Sequence, residues 1–295
     1  MNKEQAEILR DGDGFIAALD QSDRSTPKAL AKYGITEDEY DSKEEMMGLI
    51  HAMRTRIITS PAFNSDNILA ALLFKHTIQN KIEGKLTGDY LWEERGVVPF
   101  LKVDKGMIDE EDGVKLMKPI TDLDKKLELA HETNMFGTKM RSVVKSANPD
   151  GIEKLIKQQF EFAKEIIDAD LVPIVEPEID IYSEDKRRSE QLMKKEILKQ
   201  LNKLSGDKEV ILKLSLPDQN GFYSEFIDHP NVMRVAALSG GYSREEAVDL
   251  LSNNPGMIAS YSRALHQGLK ADQTDEEFNN TIAKSIEAIY EASMT

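Results

Sequence analysis

Eight short apolar runs recur along the chain, and longer amphipathic, charged segments separate them. The runs lie at residues 15–19, 68–74, 97–103, 135–144, 171–175, 210–216, 232–238 and 257–261. Each run predicts a β-strand and each intervening segment a helix. Alternating strands and helices indicate βαβ units and a parallel sheet.

Start and stop signals support several of the predicted helices. Pro27 stands at the first predicted helical position of one helix, and Gly34 ends it. Ser243 opens another with a capping-box pattern. Residues 150–168 and 184–204 carry charge at helical spacing, which is typical of surface helices.

The number of repeats favours a closed barrel over an open sheet. Eight strand–helix repeats predict an α/β fold in the form of a single (β/α)8 TIM barrel. The sequence shows no Gly/Ser-rich linker and no change in composition, so residues 1–295 are expected to form one domain.

A lysine interrupts the sixth run. Val210, Leu212 and Leu214 form an apolar face, while Lys213 lies on the opposite face of the predicted strand. A buried lysine has a lowered pKa, which makes its amine a usable nucleophile, so Lys213 is a candidate for Schiff-base chemistry. The alternative is an edge strand with an exposed lysine.

Polar residues lie near or after the carboxyl ends of the predicted strands, where a barrel of this type has its active site. They are Asp20, Lys102, the pair Lys139 and Arg141, the pair Glu176 and Glu178, Lys213, the turn Ser239-Gly240-Gly241, and Arg263. Each has a simpler explanation: a loop cap, a solvated carboxylate, an exposed ion pair or a plain turn. Their repetition at equivalent positions favours a site in which cations hold two phosphates and carboxylates transfer protons.

One phosphate site has a specific physical rationale. Gly240 and Gly241 let backbone amides approach an anion, and the helix that Ser243 caps adds partial positive charge. Arg263 then supplies a fork of donors.

Composition limits the kinds of binding partner and the cellular location that we expect for the protein. There are 38 basic and 53 acidic residues, a net charge of -15 that argues against binding to nucleic acid or anionic membranes. No run approaches the roughly 18 apolar residues that span a bilayer. Residues 1–7 carry no apolar signal region, and the chain has no cysteine; both fit a cytoplasmic protein. The five histidines lack ligand spacing, so no metal is expected, although scattered histidines could still converge on one.

With these residues in place, the chain resembles the class I fructose-bisphosphate aldolases. The resemblance rests on strings spread through most of the chain: Ala17-Ala18-Leu19-Asp20-Gln21-Ser22, Leu101-Lys102-Val103-Asp104-Lys105-Gly106, Lys139-Met140-Arg141, Val172-Pro173-Ile174-Val175-Glu176-Pro177-Glu178, Leu212-Lys213, Leu238-Ser239-Gly240-Gly241 and Ser260-Tyr261-Ser262-Arg263-Ala264-Leu265. It implies a (β/α)8 barrel that reversibly cleaves fructose 1,6-bisphosphate into dihydroxyacetone phosphate and glyceraldehyde 3-phosphate, without a metal or other cofactor.

The resemblance also implies residue roles. Lys213 matches the Schiff-base lysine, Glu176 the acid/base that helps expel water, Asp20 the base at the C4 hydroxyl, and Lys139 the cation beside it. The substrate-binding positions that match are Ser239, Gly240, Gly241 and Arg263 at the C1-phosphate, Ser22, Ser25 and Lys102 near the C6-phosphate, and Arg141 and Glu178 in support.

Two rivals and one departure stay open. The rivals are another Schiff-base barrel, such as a transaldolase, and a noncatalytic scaffold; self-association and the choice between fructose and tagatose bisphosphates are also open. The best-known animal members use a tyrosine on a mobile tail for proton exchange. Here Tyr290 lies in a predicted docked helix, residues 275–292, so removal of residues 293–295 is expected to leave activity nearly unchanged.

Overall fold

Eight parallel strands form the wall of a nearly closed barrel in this computed structural model, which describes residues 2–22 and 25–295. They are β1 (Phe15–Leu19), β2 (Ile68–Leu73), β3 (Val98–Lys102), β4 (Gly137–Val144), β5 (Val172–Ile179), β6 (Val210–Ser215), β7 (Val232–Leu238) and β8 (Met257–Ala259). Each pairs with the next in chain order from β1 to β8. The eight predicted strands and the (β/α)8 barrel are therefore confirmed.

Helices connect the strands and cover the barrel. They are α1 (Lys3–Asp11), α2 (Thr26–Tyr33), α3 (Lys43–Thr59), α4 (Lys75–Ile78), α5 (Thr87–Arg95), α6 (Leu123–Glu132), α7 (Pro149–Asp168), α8 (Lys186–Leu201), α9 (Ser224–Ile227), α10 (Arg244–Ser252), α11 (Arg263–His266) and α12 (Asp275–Ser293). A short 3-10 helix, Glu37–Glu39, a two-stranded hairpin, Lys81–Ile82 with Lys85–Leu86, and the strand Val114–Lys115, which pairs antiparallel with the end of β4, complete the described elements.

Alternate strand residues divide the apolar core into two layers. In β6, Val210, Leu212 and Leu214 pack in the layer between barrel and helices, while Ile211 packs inside the barrel. Lys213 therefore continues the inward row that Ile211 begins. Helix α1 adds Ala6 and other apolar side chains to the inner layer, next to the strand starts, so the open mouth lies at the carboxyl ends of the strands.

The helix signals are largely confirmed, with small shifts. Ser243 caps α10 in a capping box, and Gly34 ends α2 with a φ of 98°, a conformation that favours glycine. Pro27 stands at the second helical position of α2 rather than the first, because Thr26 already belongs to the helix. The predicted helix 184–204 is shorter at both ends, as α8 begins at Lys186.

The last helix is docked on the barrel as predicted. Ile282, Ile286 and Ile289 of α12 are buried, and Tyr290 packs half-buried against the same layer. No helix of the described residues is long and apolar enough to cross a membrane.

The end of α12 also supports the barrel wall, which adds a consequence for stability to the expectation that removal of residues 293–295 leaves activity nearly unchanged. The backbone N–H of Ala259, the last residue of β8, donates to the hydroxyl of Ser293 at 3.0 Å, and Ser293 is buried. The N–H of Gly256 donates to the carbonyl of Thr295 at 3.2 Å. Removal of residues 293–295 would therefore leave a buried amide of β8 without its acceptor, and the loss would appear in stability.

Candidate active site

The register of the ladder brings the polar residues of neighbouring strands to one height. Lys102 of β3 pairs with Lys139 of β4, and Arg141 of β4 pairs with Glu176 of β5. Lys213 of β6 pairs with Ala236 of β7. Because parallel strands present their inward side chains in layers, these groups meet above the apolar interior of the barrel.

Four charged side chains form a continuous buried chain across the barrel mouth. The Lys139 ammonium lies 2.6 Å from Oδ2 of Asp20 and 2.8 Å from Oε2 of Glu176. Oε1 of Glu176 lies 3.1 Å from Nζ of Lys213. None of the four residues is more than 8% exposed, so water screens these interactions poorly. The order is Asp20, Lys139, Glu176, Lys213.

Lys139 and Asp20 hold each other in their charged forms. Burial opposes the charge on Lys139, but the nearby Asp20 and Glu176 carboxylates outweigh burial and raise its pKa. Burial likewise opposes the charge on Asp20, but Lys139 and Lys102 keep the pKa of its carboxyl well below the usual range. At neutral pH, Asp20 is therefore a carboxylate and Lys139 an ammonium.

Lys213 differs from Lys139 because it has one carboxylate neighbour rather than two. Burial lowers the pKa of Lys213, Glu176 opposes that shift and Lys139 reinforces it; the pKa remains lowered. Burial raises the pKa of Glu176, but attraction to Lys139 and Lys213 outweighs it and the pKa is lowered. Burial, more than the repulsion between lysines that the sequence suggested, is thus the largest cause of the lowered Lys213 pKa.

This arrangement supplies a nucleophile, an acid/base and a fixed cation in one row. Transfer of a proton from the Lys213 ammonium to Glu176 across 3.1 Å would give a neutral amine and a carboxylic acid together. A neutral amine can attack a carbonyl, and the carboxylic acid beside it can protonate the departing oxygen. The row suits imine chemistry.

A cavity of about 850 Å³ opens above the row. Its wall includes most residues that the sequence singled out: Asp20, Ser25, Lys102, Lys139, Arg141, Glu176, Glu178, Lys213, Ser239, Gly240, Gly241 and Arg263. Ser22 instead lines a smaller recess of about 270 Å³, to which Lys102 also belongs. The structure therefore brings twelve of these residues to one cavity and Ser22 to its neighbour.

Arg141 and Glu178 form a pair on the cavity wall. Nε of Arg141 lies 2.5 Å from Oε2 of Glu178. Burial opposes the charge on Arg141, but Glu178 and Glu176 outweigh it and raise its pKa, so the guanidinium stays charged. The pair keeps the positive Arg141 guanidinium at the cavity edge, and the Glu178 carboxylate neutralises that charge locally.

The turn after β7 has the backbone that its glycines predict. Gly240 has a φ of 58°, and a Cβ on it would lie 2.8 Å from Cγ2 of Ile181, so only glycine fits. The amides of Gly241 and Tyr242 donate to the Ser239 carbonyl at 2.6 and 2.9 Å. An anion bound at this turn would therefore accept a hydrogen bond from the Gly240 amide, or it would replace the Ser239 carbonyl as the acceptor for the Gly241 and Tyr242 amides.

The polar residues of the cavity wall to which the sequence patterns assigned no role include Gln21, Ser260, Ser262 and His266. Behind them lies Arg54, which is fully buried in α3. Ile50 and Ile57 of the same helix are buried at helical spacing from Arg54, so a charged residue on an apolar helix face was the available signal. For the other four, the sequence carried no periodic or spacing signal.

In residues 2–22 and 25–295, no group of three or more histidine, aspartate or glutamate side chains could hold a metal ion. His51 and His76 approach each other with ring centroids 6.2 Å apart, but their site lies outside the cavity wall.

Sequence comparisons identify relatives over the whole length. Residues 1–220 match the family model described as "Fructose-bisphosphate aldolase class-I". A Clostridium acetobutylicum protein named fructose-bisphosphate aldolase class 1 is 56% identical over 295 residues, covering 100% of both chains. A Porphyromonas gingivalis protein of the same name is 54% identical over 294 residues, again covering 100% of both chains.

Structure comparisons agree on the fold. The fructose-bisphosphate aldolase of Plasmodium falciparum, solved in complex with TRAP and a small-molecule inhibitor, superposes with a TM-score of 0.79 at 19% identity, covering 99% of this chain and 93% of that chain. A Corynebacterium glutamicum protein superposes with a TM-score of 0.57 at 13% identity, covering 99% and 92%. With a barrel fold, a buried row of lysines and carboxylates, and relatives identical at more than half of their positions, the chain belongs to the class I fructose-bisphosphate aldolase family.

Proposed function

We propose that this protein reversibly cleaves fructose 1,6-bisphosphate into dihydroxyacetone phosphate and glyceraldehyde 3-phosphate through an imine on Lys213. The observation that carries the proposal is the buried row Asp20, Lys139, Glu176 and Lys213 at the barrel mouth. Family membership supports the reaction class, and the row supports the assignment of roles.

The first half of the reaction uses Glu176 and Lys213. The neutral Lys213 amine attacks the C2 ketone of the substrate and forms a carbinolamine. Glu176, protonated by the proton that Lys213 gives up, donates it to the C2 hydroxyl, which leaves as water. The product is a protonated imine, and its positive charge replaces that of the ammonium beside Glu176.

The second half uses Asp20 and Lys139. The Asp20 carboxylate takes the proton of the C4 hydroxyl, the C3–C4 bond breaks, and its electron pair flows into the protonated imine to give an enamine. Glyceraldehyde 3-phosphate leaves as the aldehyde. Lys139, 2.6 Å from Asp20, stabilises the negative charge that develops on the C4 oxygen. Asp20 then returns its proton to solvent, and Glu176, left as a carboxylate by the loss of water, takes up a proton from solvent. We propose that Glu176 donates this proton to C3 of the enamine; water then adds to the protonated imine at C2, the Lys213 amine leaves, and dihydroxyacetone phosphate is released.

Cations stand on two sides of the reacting groups, as a bisphosphate requires. On one side, Ser239, Gly240, Gly241 and Arg263 line the cavity at the ends of β7 and β8. On the other, Ser25 and Lys102 line it, with Ser22 in the adjoining recess. We assign the C1-phosphate to the first group and the C6-phosphate to the second, with Arg141 and Glu178 as supporting residues.

The physiological setting follows from the reaction. We propose that the protein acts in glycolysis and gluconeogenesis in the cytoplasm, without nucleic-acid or membrane partners; the net charge of -15 and the absence of cysteine fit that setting.

Borohydride reduction tests the imine directly. Incubation with dihydroxyacetone phosphate and borohydride should inactivate the protein, and peptide mass mapping should place the adduct on Lys213. Lys213→Arg should abolish both trapping and turnover, because a guanidinium stays protonated at neutral pH. Lys157→Arg, on the exposed face of α7, serves as the matched control and should retain activity. An adduct on another lysine, or none, would overturn the mechanism.

Two further arms separate the rivals. A transaldolase would form the imine but would transfer the three-carbon unit to an acceptor sugar rather than release it, so product analysis distinguishes it. A noncatalytic scaffold would give neither imine nor aldehyde. EDTA should leave turnover unchanged; loss of turnover that zinc restores would assign the reaction to metal-assisted chemistry instead.

A further inference from the structure

The barrel wall is weakest between its first and last strands, and two proposed site residues stand on opposite sides of that gap. The described residues form no ladder between β1 and β8; the Ala18 N–H donates to the Tyr261 carbonyl at 3.2 Å across the gap. Asp20 follows β1 directly, and Arg263 begins α11 after β8. Something other than a ladder must hold these two residues in register.

The side chain of Gln21 crosses this gap. Its Nε2 donates to Oγ of Ser262 at 2.8 Å and lies 3.3 Å from Nδ1 of His266. Ser262 immediately precedes Arg263, and His266 ends the same short helix. One carboxamide therefore connects the residue after Asp20 to both ends of the α11 turn.

Arg54 holds Gln21 from behind. Its Nη2 donates to the Gln21 backbone carbonyl at 2.6 Å and to Oε1 at 3.2 Å, and its Nη1 donates to Oγ1 of Thr77 at 2.6 Å. Arg54 is fully buried, and its side-chain hydrogen bonds within residues 2–22 and 25–295 go to Gln21 and Thr77 rather than to a carboxylate. Burying a guanidinium costs free energy. That a buried guanidinium hydrogen-bonds to Gln21 therefore indicates that the position of this side chain matters.

The donors and acceptors in this network fix the proton on His266. Arginine only donates, so Oε1 of Gln21 must be the acceptor and Nε2 the donor. Nδ1 of His266 must then accept, which leaves the imidazole neutral with its proton on Nε2. Burial and the nearby Arg54 lower the pKa of His266 to about 4, while Asp20 opposes them. Arg54 and Asp20 are the charged groups of residues 2–22 and 25–295 that act on this imidazole, and the neutral form agrees with the geometry.

We propose that Gln21 is a positioning residue of this aldolase: oriented by Arg54, its carboxamide ties the Asp20 segment to the Ser262–His266 turn. The clamp keeps the base at C4 and the phosphate-binding Arg263 in register across the open seam. The inference rests on the proposed function. It explains why two groups of the reaction stay aligned where the barrel wall has little backbone pairing of its own.

Replacing Gln21 by methionine keeps its length and removes both hydrogen bonds to the turn. In Gln21→Met, the cleavage rate should fall roughly 10- to 100-fold, while borohydride trapping on Lys213 at saturating dihydroxyacetone phosphate stays within about twofold of wild type, because misplacing the C4 base does not touch attack at C2. Displacement of Arg263 should appear as a higher dihydroxyacetone phosphate concentration for half-maximal trapping. Gln79→Met, an exposed glutamine at the end of α4, is the matched control and should leave both rates unchanged. Normal cleavage in Gln21→Met with normal trapping would overturn the clamp and leave the imine mechanism intact.

Gln21→Glu gives a readout that a merely space-filling role would not move. A carboxylate cannot donate to Nδ1, so the contact forms only when His266 carries a proton on Nδ1, either as the opposite neutral tautomer or as an imidazolium. Nitrogen-15 NMR of Gln21→Glu should therefore show a protonated Nδ1 at neutral pH, and the added negative charge should raise the His266 pKa above its wild-type value. The double variant Gln21→Glu with His266→Gln restores a carboxamide donor and should cleave faster than Gln21→Met. An unprotonated Nδ1 in Gln21→Glu would overturn the proposal.

The tautomer can be measured in the wild-type protein, so the proposal does not depend on variants that fold. Nitrogen-15 NMR of the histidine rings should give His266 a protonated Nε2 and an unprotonated Nδ1 at neutral pH. The opposite tautomer, or an imidazolium, would show that Gln21 does not donate to His266.

Discussion

At the scale of single residues, one ammonium organises two carboxylates with different tasks. Lys139 contacts Asp20 and Glu176 at nearly equal distances, 2.6 and 2.8 Å, yet only Glu176 also contacts Lys213. Asp20 is therefore held in the charged form by cations that take no covalent part. In the proposed mechanism, Glu176 exchanges a proton with Lys213, the nucleophile. The difference between the two carboxylates lies in their neighbours rather than in their chemistry.

Substitution of Asp20 should separate C–C cleavage from imine formation. In Asp20→Asn the amide cannot accept the C4 hydroxyl proton, so we expect the cleavage rate to fall roughly 10²- to 10⁴-fold. Imine trapping at Lys213 should persist, because Asp20 does not contact that amine. Rapid-quench trapping alongside an aldehyde assay measures both, with the exposed Asp13→Asn as control. If trapping fell in step with cleavage, Asp20 would act earlier or only support the fold.

Substitution of Glu176 should shift the pH dependence of imine formation. Burial lowers the pKa of Lys213 and Glu176 opposes that shift. In Glu176→Gln the opposition is lost, so the Lys213 pKa falls further and the neutral amine persists to lower pH. The limb of the single-turnover imine rate that rises with pH, as Lys213 loses its proton, should therefore move to lower pH, even though the loss of the acid slows dehydration.

The control for this shift is Glu178→Gln, whose carboxylate pairs with Arg141 instead. It should change rates without moving the midpoint of the limb. A shift of the Glu176→Gln limb to higher pH would contradict the assignment of Glu176 as the stabiliser of the protonated amine.

The sequence revealed site residues that lie on strands or follow strand ends, and it missed Gln21, Arg54 and His266. Lys139 and Lys213 stand out because a charged residue inside an apolar strand has few explanations. Gln21 and His266 are ordinary in a connecting segment, and they come together across 245 positions only because the barrel closes. Their meeting is a property of the tertiary fold, which no local pattern contains.

At the scale of elements, β8 depends on the helix that follows it. β8 has three residues, and it pairs with β7 through three positions, from Val235 with Met257 to Ala237 with Ala259. The hydroxyl of Ser293 accepts the Ala259 N–H and itself donates to the Ile289 carbonyl at 2.8 Å. The Ser293 hydroxyl of α12 thus accepts a backbone hydrogen bond from β8, as the carbonyl of a neighbouring strand would.

Removal of that hydroxyl should destabilise the protein more than it affects chemistry. In Ser293→Ala the buried amide of Ala259 loses its acceptor, which costs about 1–3 kcal/mol of unfolding free energy. Chemical denaturation measures the loss. Tyr290→Phe, one helical turn earlier, is the control and should leave both stability and proton exchange on dihydroxyacetone phosphate nearly unchanged. A selective loss of exchange in Tyr290→Phe would assign the tyrosine to the enamine proton and remove Glu176 from that role.

Element prediction succeeded where patterns are long and failed where elements are short. The eight strands lie in predominantly apolar runs, and α7 has a clear apolar stripe over twenty residues. The two-residue strands Lys81–Ile82 and Val114–Lys115 have no period to detect, and four-residue α4 is too short to show one. α11 differs again: four residues of the string Ser-Arg-Ala-Leu-His form a helix because Gln21 and the barrel rim hold them.

At the scale of the whole molecule, the site must attract a substrate with two phosphate groups against a net charge of -15. The cations that face the cavity are buried or lie on its wall, so their interactions are short-ranged and strong. Exposed acidic residues such as Asp13 and Glu44 lie on the outer surface, where salt screens their charge within about 10 Å. Substrate recognition is therefore a local property of the barrel mouth and not of the overall field.

The barrel should open at its seam before it unfolds elsewhere. β4 and β5 pair through eight positions, from Gly137 with Val172 to Val144 with Ile179, whereas β1 and β8 share the bond from Ala18 to Tyr261 and no ladder within the described residues. Local openings follow the regions with the fewest supporting interactions.

Native-state hydrogen exchange should therefore show faster exchange at Ala259 than at Ile174, although both are buried. The comparison is fair because neither side chain is more than 1% exposed, so solvent access alone cannot separate them. In Ser293→Ala the exchange at Ala259 should accelerate further while that at Ile174 changes only by the global loss of stability. Equal exchange free energies at the two sites, in both proteins, would mean that the barrel opens as one cooperative unit and that the seam is as firm as the ladder opposite it.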